Sequence, residues 1–351
     1  MRFAFSQDQL AFADGVGAVL EDRCPPSVVR SAWDGEQAPV QQLWSRLADI
    51  GLLAALVPEA DGGLGLTELD IQLCLEGSGR AAVPVPLVET AVVTARLLTG
   101  TAHAERLPAL AGGELRVSAT LDGSALLPWA GFCDWVLVAD GGAVYLVPLQ
   151  ECPLEPAPAV DRARPMGELA GMPVQARPGA DRYLVTADPG RIGLARQAGT
   201  LATAAQLIGL AEQTLSMTVR YVKERRQFGV PIGSFQAVKH ALADALLALE
   251  LARPLVHAAA WAHVQGTEGA ARDVAGAKVR AGEAAGLVAR TALQCHGGMG
   301  YTQESDLHLW LKRIWALQAS WGQPGELRAA VAQSLGIQAS GSQALSGGRN
   351  D

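Results

Sequence analysis

Two segments of the sequence decide how the chain is interpreted: residues 221–236 read YVKERRQFGVPIGSFQ, and residues 294–304 read QCHGGMGYTQE. Each follows a long stretch whose apolar residues repeat with a period near 3.6, which is typical of an amphipathic helix. Each then carries the glycines, or the glycine and proline, that end helices and form turns. Both segments are therefore expected to connect helices.

The first segment places a cation and an aromatic ring beside a turn. Arg225 stands at the predicted helix C-terminus, next to a turn that contains Gly229 and Pro231. A guanidinium group offers a fork of donors that suits a pyrophosphate, although a solvated arginine that favours the helix dipole is the commoner arrangement. Phe228 can stack on a ligand ring or pack in the core, and core packing is the commoner outcome for phenylalanine.

The second segment is a glycine-rich helix end. Gly297, Gly298 and Gly300 allow a ligand or another backbone to approach closely, and they are equally compatible with an ordinary capping loop. Gln294, one turn earlier, can hydrogen-bond a cofactor amide or a backbone group. Each segment taken alone therefore leaves a structural explanation open beside a binding one.

The C-terminal part of the chain is predicted to be a helical bundle over residues 191–335. Helical periodicity runs through four stretches, namely residues 193–223, 236–264, 270–294 and 305–319. Pro254 lies inside the second stretch and is expected to kink that helix. Residues 336–351 are rich in Ser, Gly and Gln and are expected to be a disordered tail.

The first 190 residues divide into a helical and a β part. Residues 1–114 predict a helical domain, in which Ser6 can cap the first helix. Residues 115–190 predict a small β domain. They contain short β-branched or aromatic runs separated by Asp-Gly and Gly-Gly, and eight of the nineteen prolines lie between Pro148 and Pro189.

Composition excludes several classes of protein. The 351 residues are 49% hydrophobic and 18% charged, so the chain can bury a large core. A net charge of −7 argues against a general nucleic-acid binder, which needs a basic face. The five cysteines form no CxxC pair, so neither a zinc site nor a disulfide framework is expected. With no signal peptide or membrane span in the sequence, a cytoplasmic location is expected.

In this order, the two segments together resemble those of the acyl-CoA dehydrogenase family, and the GGLG turn at residues 62–65 matches its N-terminal half. Members have an N-terminal helical domain, a middle β-barrel and a C-terminal four-helix bundle. The expected fold is accordingly mostly α with a small β domain. The resemblance implies an FAD-dependent oxidoreductase that desaturates an acyl-CoA at the α,β bond and passes electrons to an acceptor protein.

In the family, the residues at the matching positions reach across a dimer interface and hold the pyrophosphate and adenine end of the partner's FAD. The resemblance therefore implicates one set of residues in binding an FAD that is shared with a partner: Arg225, Gln227, Phe228, Gln236, Gln294, Gly297 and Gly298.

The position of the family's catalytic base departs from the pattern. Members use a glutamate to remove the α-proton, because a carboxylate in an apolar pocket has a pKa suited to that step. The matching stretch here is SWGQ at residues 320–323, which places Trp321 at the base position, and residues 307–325 contain no Asp or Glu. An alternative family position falls near Gly199, and residues 190–211 contain no acid either. No catalytic residue is therefore assigned.

A second departure is the family's flavin-holding loop, which reads like Thr-Glu-Pro followed by Gly-Ser-Asp. Residues 118–129 read SATLDGSALLPW, so the loop is missing. The simplest interpretation is a subunit of a heteromer, in which a sister dehydrogenase chain supplies the glutamate and the flavin-holding loops. Actinobacterial dehydrogenases that act on steroid side-chain CoA esters resemble this arrangement, which suggests a heterotetramer in steroid degradation.

Two other functions stay open. The chain can be a self-sufficient acyl-CoA dehydrogenase with an unusual base, for which Glu304 and Glu326 are the nearest candidates. It can also be a non-redox acyl-thioester-binding protein on the same fold. In the second case, the motifs would hold no flavin.

Overall fold

The computed structural model describes residues 4–170 and 179–337. Residues 338–351 of the predicted tail lie outside the described residues. The N-terminal part is helical as predicted, and its helices are α1 (Gln7–Arg23), α2 (Pro26–Trp33), α3 (Ala38–Asp49), α4 (Gln72–Arg80), α5 (Ala95–Leu98) and α6 (Leu107–Gly112). Ser6 caps α1 in a capping box with Gln9, which satisfies two backbone donors at once.

A buried π-helix, Val88–Thr94, leads directly into α5. All seven of its residues are buried, including Glu89, and the Thr94 hydroxyl donates to the Glu89 carbonyl at 2.7 Å. Pro84 and Pro86 precede it, as expected for a break after α4. The sequence pattern from Thr67 onward predicts a helix, but residues 68–71 form turns and α4 begins only at Gln72.

The β part consists of two small sheets. Its strands are β1 (Val117–Thr120), β2 (Leu126–Pro128), β3 (Trp135–Asp140), β4 (Ala143–Pro148), β5 (Leu154–Ala157), β6 (Met166–Leu169) and β7 (Leu184–Thr186). One sheet has the order β1-β3-β4-β7, with β1 parallel to β3, and the other has the order β2-β6-β5. Sequence patterns missed β2, β5 and β6, because these strands are short, and β5 and β6 contain proline or glycine.

The C-terminal part contains the predicted long helices and one more. They are α7 (Pro189–Glu224), α8 (Gln236–Gln265), α9 (Ala270–His296), α10 (Leu307–Ala319) and α11 (Pro324–Ser334). The hairpin β8 (Arg226–Gln227) and β9 (Val230–Pro231) follows α7. Helix α8 continues through Pro254 as one helix. Small side chains dominate the buried faces of α7 and α9, so these helices pack closely.

Helix α8 is also, among the described residues, the one helix that is long and apolar enough to cross a bilayer by length and composition alone. It carries Glu250 and Arg253, and Arg253 pairs with Glu76 and Glu212 of neighbouring helices. Its buried face, with Leu249 and Val256, belongs to the main hydrophobic core. These contacts are those of a helix within a bundle.

Candidate functional site

The structure brings the two segments together at one end of the bundle. The Tyr221 ring near the end of α7 stacks on the His296 ring at the end of α9, with centroids 4.1 Å apart and planes at 19°. The Tyr221 hydroxyl also donates to the His296 carbonyl at 3.5 Å. Burial lowers the pKa of His296, although a hydrogen bond to the Ala292 carbonyl opposes this. The last turns of α7 and α9 therefore support both loops.

All seven residues implicated in FAD binding are exposed in this chain. Arg225 caps the C-terminus of α7, where its backbone N–H donates to the Tyr221 carbonyl at 2.8 Å. Its guanidinium makes no ion pair with any residue that the structure describes. Gly297 ends α9 with φ of 56° and ψ of −135°, a backbone conformation that glycine adopts readily. This surface presents a cation and accessible backbone on the same end of the bundle.

Phe228 lies at the tip of the β8–β9 hairpin and is 93% exposed. The expectation that a phenylalanine packs in the core is therefore wrong here. Phe228 and Gly229 have φ values of 51° and 82°, so both residues of the two-residue turn are left-handed. Phe228 contacts Phe235 edge-on, with ring centroids 6.2 Å apart. A strained, exposed aromatic residue at a hairpin tip is typical of a surface that binds a ligand or a partner protein.

The two alternative positions of the family's base meet in space. The Trp321 indole lies on α7 at Gly199, where an added Cβ would be 2.6 Å from Cε3 of the indole. Trp321 has a φ of 56°, and its carbonyl accepts from the Thr200 hydroxyl at 2.8 Å. Neither position carries an acid, and the indole occupies the space above Gly199.

A cleft of about 520 Å³ lies between the β part and the bundle. Trp321 forms part of its wall, so the indole narrows this space without filling it. The wall is mostly apolar, and its polar residues include Arg196, Gln197 and Glu326. Glu304, the other candidate base, is exposed in the loop before α10 and does not line the cleft.

Two buried ion pairs belong to the wall of the cleft, which Asp161 and Arg164 line. Arg313 of α10 pairs with Asp161, and Arg164 lies 3.5 Å from Glu89. Both arginines stand over the Trp129 ring, and the indole N–H donates to Glu89 at 3.0 Å. Burial lowers the pKa of Arg164, while the Glu89 charge opposes that shift. The cluster joins the π-helix, the β part and the bundle.

The polar side chains of the short segment at residues 118–129 form hydrogen bonds within the segment. The Thr120 hydroxyl lies 2.9 Å from the Asp122 carboxylate, which also accepts from the Ser124 backbone N–H at 2.9 Å. The Ser118 hydroxyl donates to the Pro128 carbonyl at 2.5 Å. These groups hold β1, the turn and β2 together. In this geometry they are engaged within the segment.

Sequence reasoning missed Lys278, a fully buried residue of α9. Its ammonium group donates to the carbonyls of Leu317 and Gln318 at 2.9 and 3.2 Å. Burial lowers its pKa to about 7. The helical period was the available signal, because Lys278 falls one turn after Val274 and one turn before Ala281 on the apolar face of α9.

Family models match most of the chain. The N-terminal domain of acyl-CoA dehydrogenase matches residues 6–114, and the C-terminal domain of acyl-CoA dehydrogenase matches residues 196–336. The chain is also 32% identical to acyl-CoA dehydrogenase IpdE2 of Mycolicibacterium smegmatis, over 92% of this chain and 96% of the relative. The chain belongs to the acyl-CoA dehydrogenase family. Membership supports the oxidoreductase class and implies FAD as cofactor.

Further acyl-CoA dehydrogenases show the same likeness. Acyl-CoA dehydrogenase IpdE2 of Mycobacterium tuberculosis is 31% identical over 88% of this chain and 91% of its own. A glycine-to-alanine variant of the steroid ACAD Tcur3481-Tcur3483 superposes with a TM-score of 0.81 at 25% identity, covering 94% of this chain and 98% of that one. The ChsE4-ChsE5 complex of Mycobacterium tuberculosis gives 0.79 at 24% identity, covering 97% and 100%. The mostly helical fold with a small β part is that of acyl-CoA dehydrogenases.

Proposed function

We propose that this chain is a subunit of a heteromeric, FAD-dependent acyl-CoA dehydrogenase and that its partner supplies the catalytic glutamate. One observation carries the proposal: the Trp321 indole lies directly on Gly199. The two positions from which family members extend the catalytic carboxylate to the substrate α-carbon correspond here to Trp321 and Gly199, which are in contact. The space between them holds the indole ring, whose only polar group is a hydrogen-bond donor. An indole cannot remove a proton there.

The exposed end of the bundle supports the role of this chain toward a partner's FAD. Arg225, Gln227 and Gln236 would bind the pyrophosphate and adenine end, and Gln294 with the backbone at Gly297 and Gly298 would complete the contact. A flavin held there would supply the hydride acceptor for the desaturation. Exposed apolar side chains surround these residues, namely Phe228, Val230, Phe235, Met299 and Tyr301. Such a patch is expected to be covered in an assembly.

The short segment at residues 118–129 supports the absence of a complete flavin site in this chain. Thr120, Asp122 and Ser124 form hydrogen bonds with one another. Their donors and acceptors therefore already have partners and are not free to hold a flavin ring. A chain that lacks both a base and a flavin-holding loop needs a partner for turnover. The exposed leucines of α8, of which Leu247, Leu251 and Leu255 recur every fourth residue, offer a further apolar face for one.

The relatives support a proposal for the substrate class. A matching structure at 25% identity is described as a steroid acyl-CoA dehydrogenase built from two differently named chains, Tcur3481 and Tcur3483. We infer that this chain acts in a complex on the CoA ester of a steroid side chain or a similarly bulky acyl group, in the cytoplasm, with an electron-transfer protein as acceptor. The net charge of −7 favours neither nucleic acid nor an anionic membrane as partner.

The test is purification of this chain alone and after co-expression with a neighbouring dehydrogenase gene. The chain alone is expected to be colourless or to hold FAD well below one per chain. The complex is expected to be yellow, with FAD below one per chain and desaturating activity. A yellow homo-oligomer with one FAD per chain and turnover of acyl-CoA would refute the proposal.

Two substitutions sharpen this test. Arg225→Ala should lower the FAD content of the complex, because a charge-assisted bond worth about 1.5–3 kcal/mol is lost. Lys223→Ala, two residues earlier and also exposed, is the matched control and should leave the FAD content unchanged. Trp321→Glu restores an acid in this chain and should still give no activity without the partner. Strong activity from that variant alone would show that a complete flavin site is present here.

One observation favours a second function. Glu326 lies in the first turn of α11 and lines the cleft that Trp321 also lines, so it can face a bound acyl chain. A self-sufficient dehydrogenase would use this carboxylate as its base. Glu326→Gln should then abolish turnover, whereas the heteromer proposal expects turnover of the complex to be retained.

A further inference from the structure

The turn that carries Trp321 needs support from outside itself. Trp321 and Gly322 both have positive φ, at 56° and 119°. Tryptophan rarely adopts a left-handed conformation, because its Cβ then lies too close to the following carbonyl oxygen. The turn also follows the C-terminus of α10, where the last backbone carbonyls have no partner within the helix. Two sets of contacts can hold it, one from α7 and one from α9.

The contacts from α9 are the unusual ones. Lys278 is fully buried, yet its ammonium group donates to Leu317 and Gln318, two of the carbonyls that end α10. The Gln318 side chain in turn donates to the Gly282 carbonyl of α9 at 2.7 Å. Gln318 stands three residues before Trp321. Helix α9 therefore binds the end of α10 through both the backbone and a side chain.

We propose that Lys278 is a positioning residue for Trp321: by binding the carbonyls that end α10, it sets the turn that lays the indole on Gly199 and closes that side of the cleft. Burying an amine is costly unless its hydrogen bonds are made, so a lysine at this position is expected to serve those bonds. A cation at a helix C-terminus also interacts favourably with the helix dipole. The depressed pKa agrees with a dry location between the helices.

The functional meaning of this role rests on the proposed function, in which the position of Trp321 is the site where a base is missing. The contacts between Lys278 and the end of α10 do not depend on that proposal. A shift of the turn would lift the indole from Gly199 and enlarge the cleft next to Val274 and Ala275, which lie one turn from Lys278 on α9. Lys278 thus determines how far a ligand can enter between the β part and the bundle.

The experiment uses 5-fluorotryptophan and fluorine NMR on this chain without any partner or flavin. The chain has eight tryptophans, and Trp321→Phe identifies the resonance of Trp321. Lys278→Met shortens the side chain by only one atom and removes its donors. We expect the Trp321 resonance to shift or broaden in Lys278→Met, while those of Trp33, Trp44 and Trp129 stay in place and report an intact fold.

Lys239→Met, at an exposed lysine in the first turn of α8, is the matched control and should leave the Trp321 resonance unchanged. A second variant, Thr200→Val, removes the hydroxyl that contacts Trp321 from α7. If Lys278→Met fails to fold, Lys278→Leu, which also lacks a donor, is measured in the same way. An unchanged Trp321 resonance in the folded Lys278 variant overturns the proposal, and a shift only in Thr200→Val would assign the role to α7. Neither result bears on FAD content or partner binding, so the proposed function is tested separately.

Discussion

At the residue scale, Gly199 and Trp321 depend on each other. The indole can lie on α7 only because Gly199 has no Cβ, since an added methyl group would be 2.6 Å from the ring. A glycine inside a long helix is otherwise unfavourable relative to alanine by about 1 kcal/mol. The glycine is therefore explained by the ring above it and not by the helix that contains it.

This dependence gives a prediction with an internal control. Gly199→Ala and Gly193→Ala both replace a glycine of α7, but an added Cβ at Gly193 meets no atom within 4 Å. Gly193→Ala should stabilise the chain by about 0.5–1 kcal/mol. Gly199→Ala should be about 1–3 kcal/mol less stable than Gly193→Ala because the indole must move. Urea denaturation of the two variants measures the difference, and equal stability would place the indole elsewhere.

We expect that Phe228, although it is large and apolar, can be replaced without loss of chain stability. Its left-handed backbone is strained, and its ring is 93% exposed. Phe228→Gly relieves the strain, so the isolated chain should be as stable as the wild type or more stable by up to about 1 kcal/mol. The affinity for the partner subunit should fall. Urea denaturation and titration of the complex report the two effects, and a clear loss of chain stability would mean that the ring packs internally.

At the scale of elements, the contact between α9 and α10 makes the free energy of unfolding depend on pH, because Lys278 is buried there. Burial lowers the pKa of Lys278 to about 7, whereas an unfolded lysine titrates near 10.4. Between these values the unfolded chain holds a proton that the folded chain has released. The contribution of Lys278 to stability therefore increases as pH rises from about 7 to about 10.4, by at most about 1.4 kcal/mol per pH unit. Below pH 7 both states are protonated and this slope vanishes.

The prediction is that Lys278→Met removes this slope. Free energies of unfolding are measured in urea for wild type and variant between pH 6 and pH 9. The difference between them is used because the raised pKa values of buried thiols such as Cys24 and Cys74 affect both proteins equally. The two curves should diverge above pH 7. Curves that stay parallel throughout would show that Lys278 keeps its proton in the folded chain.

At the scale of the whole molecule, buried ion pairs join parts that are far apart in sequence. Asp161 lies between β5 and β6 and pairs with Arg313 of α10, which also donates to the Val83 carbonyl at 2.7 Å. Three regions of the chain thus meet at one guanidinium. Such pairs add little net stability, but the loss of one partner leaves a buried charge without compensation.

Asp161→Asn should therefore destabilise the chain by about 3–5 kcal/mol, since Arg313 stays buried and charged. Asp49→Asn removes the same charge from an exposed pair with Arg46 and should cost at most about 1 kcal/mol. Thermal unfolding monitored by circular dichroism distinguishes the two. Similar losses in both variants would mean that the Asp161–Arg313 pair is solvated.

The sequence by itself indicated the family, the mostly helical fold with a small β part, and the seven residues that are predicted to bind a shared FAD. These features depend on local pattern: helical period, capping residues and the glycines of residues 294–304, all of which act over a few neighbouring positions. Only the tertiary structure decided that Trp321 lies on Gly199, that Lys278 donates to carbonyls at the end of α10, and that Phe228 is exposed. Those features depend on how α7, α9 and α10 pack, because contacts between distant segments are set by shape and burial and leave no local pattern in the sequence.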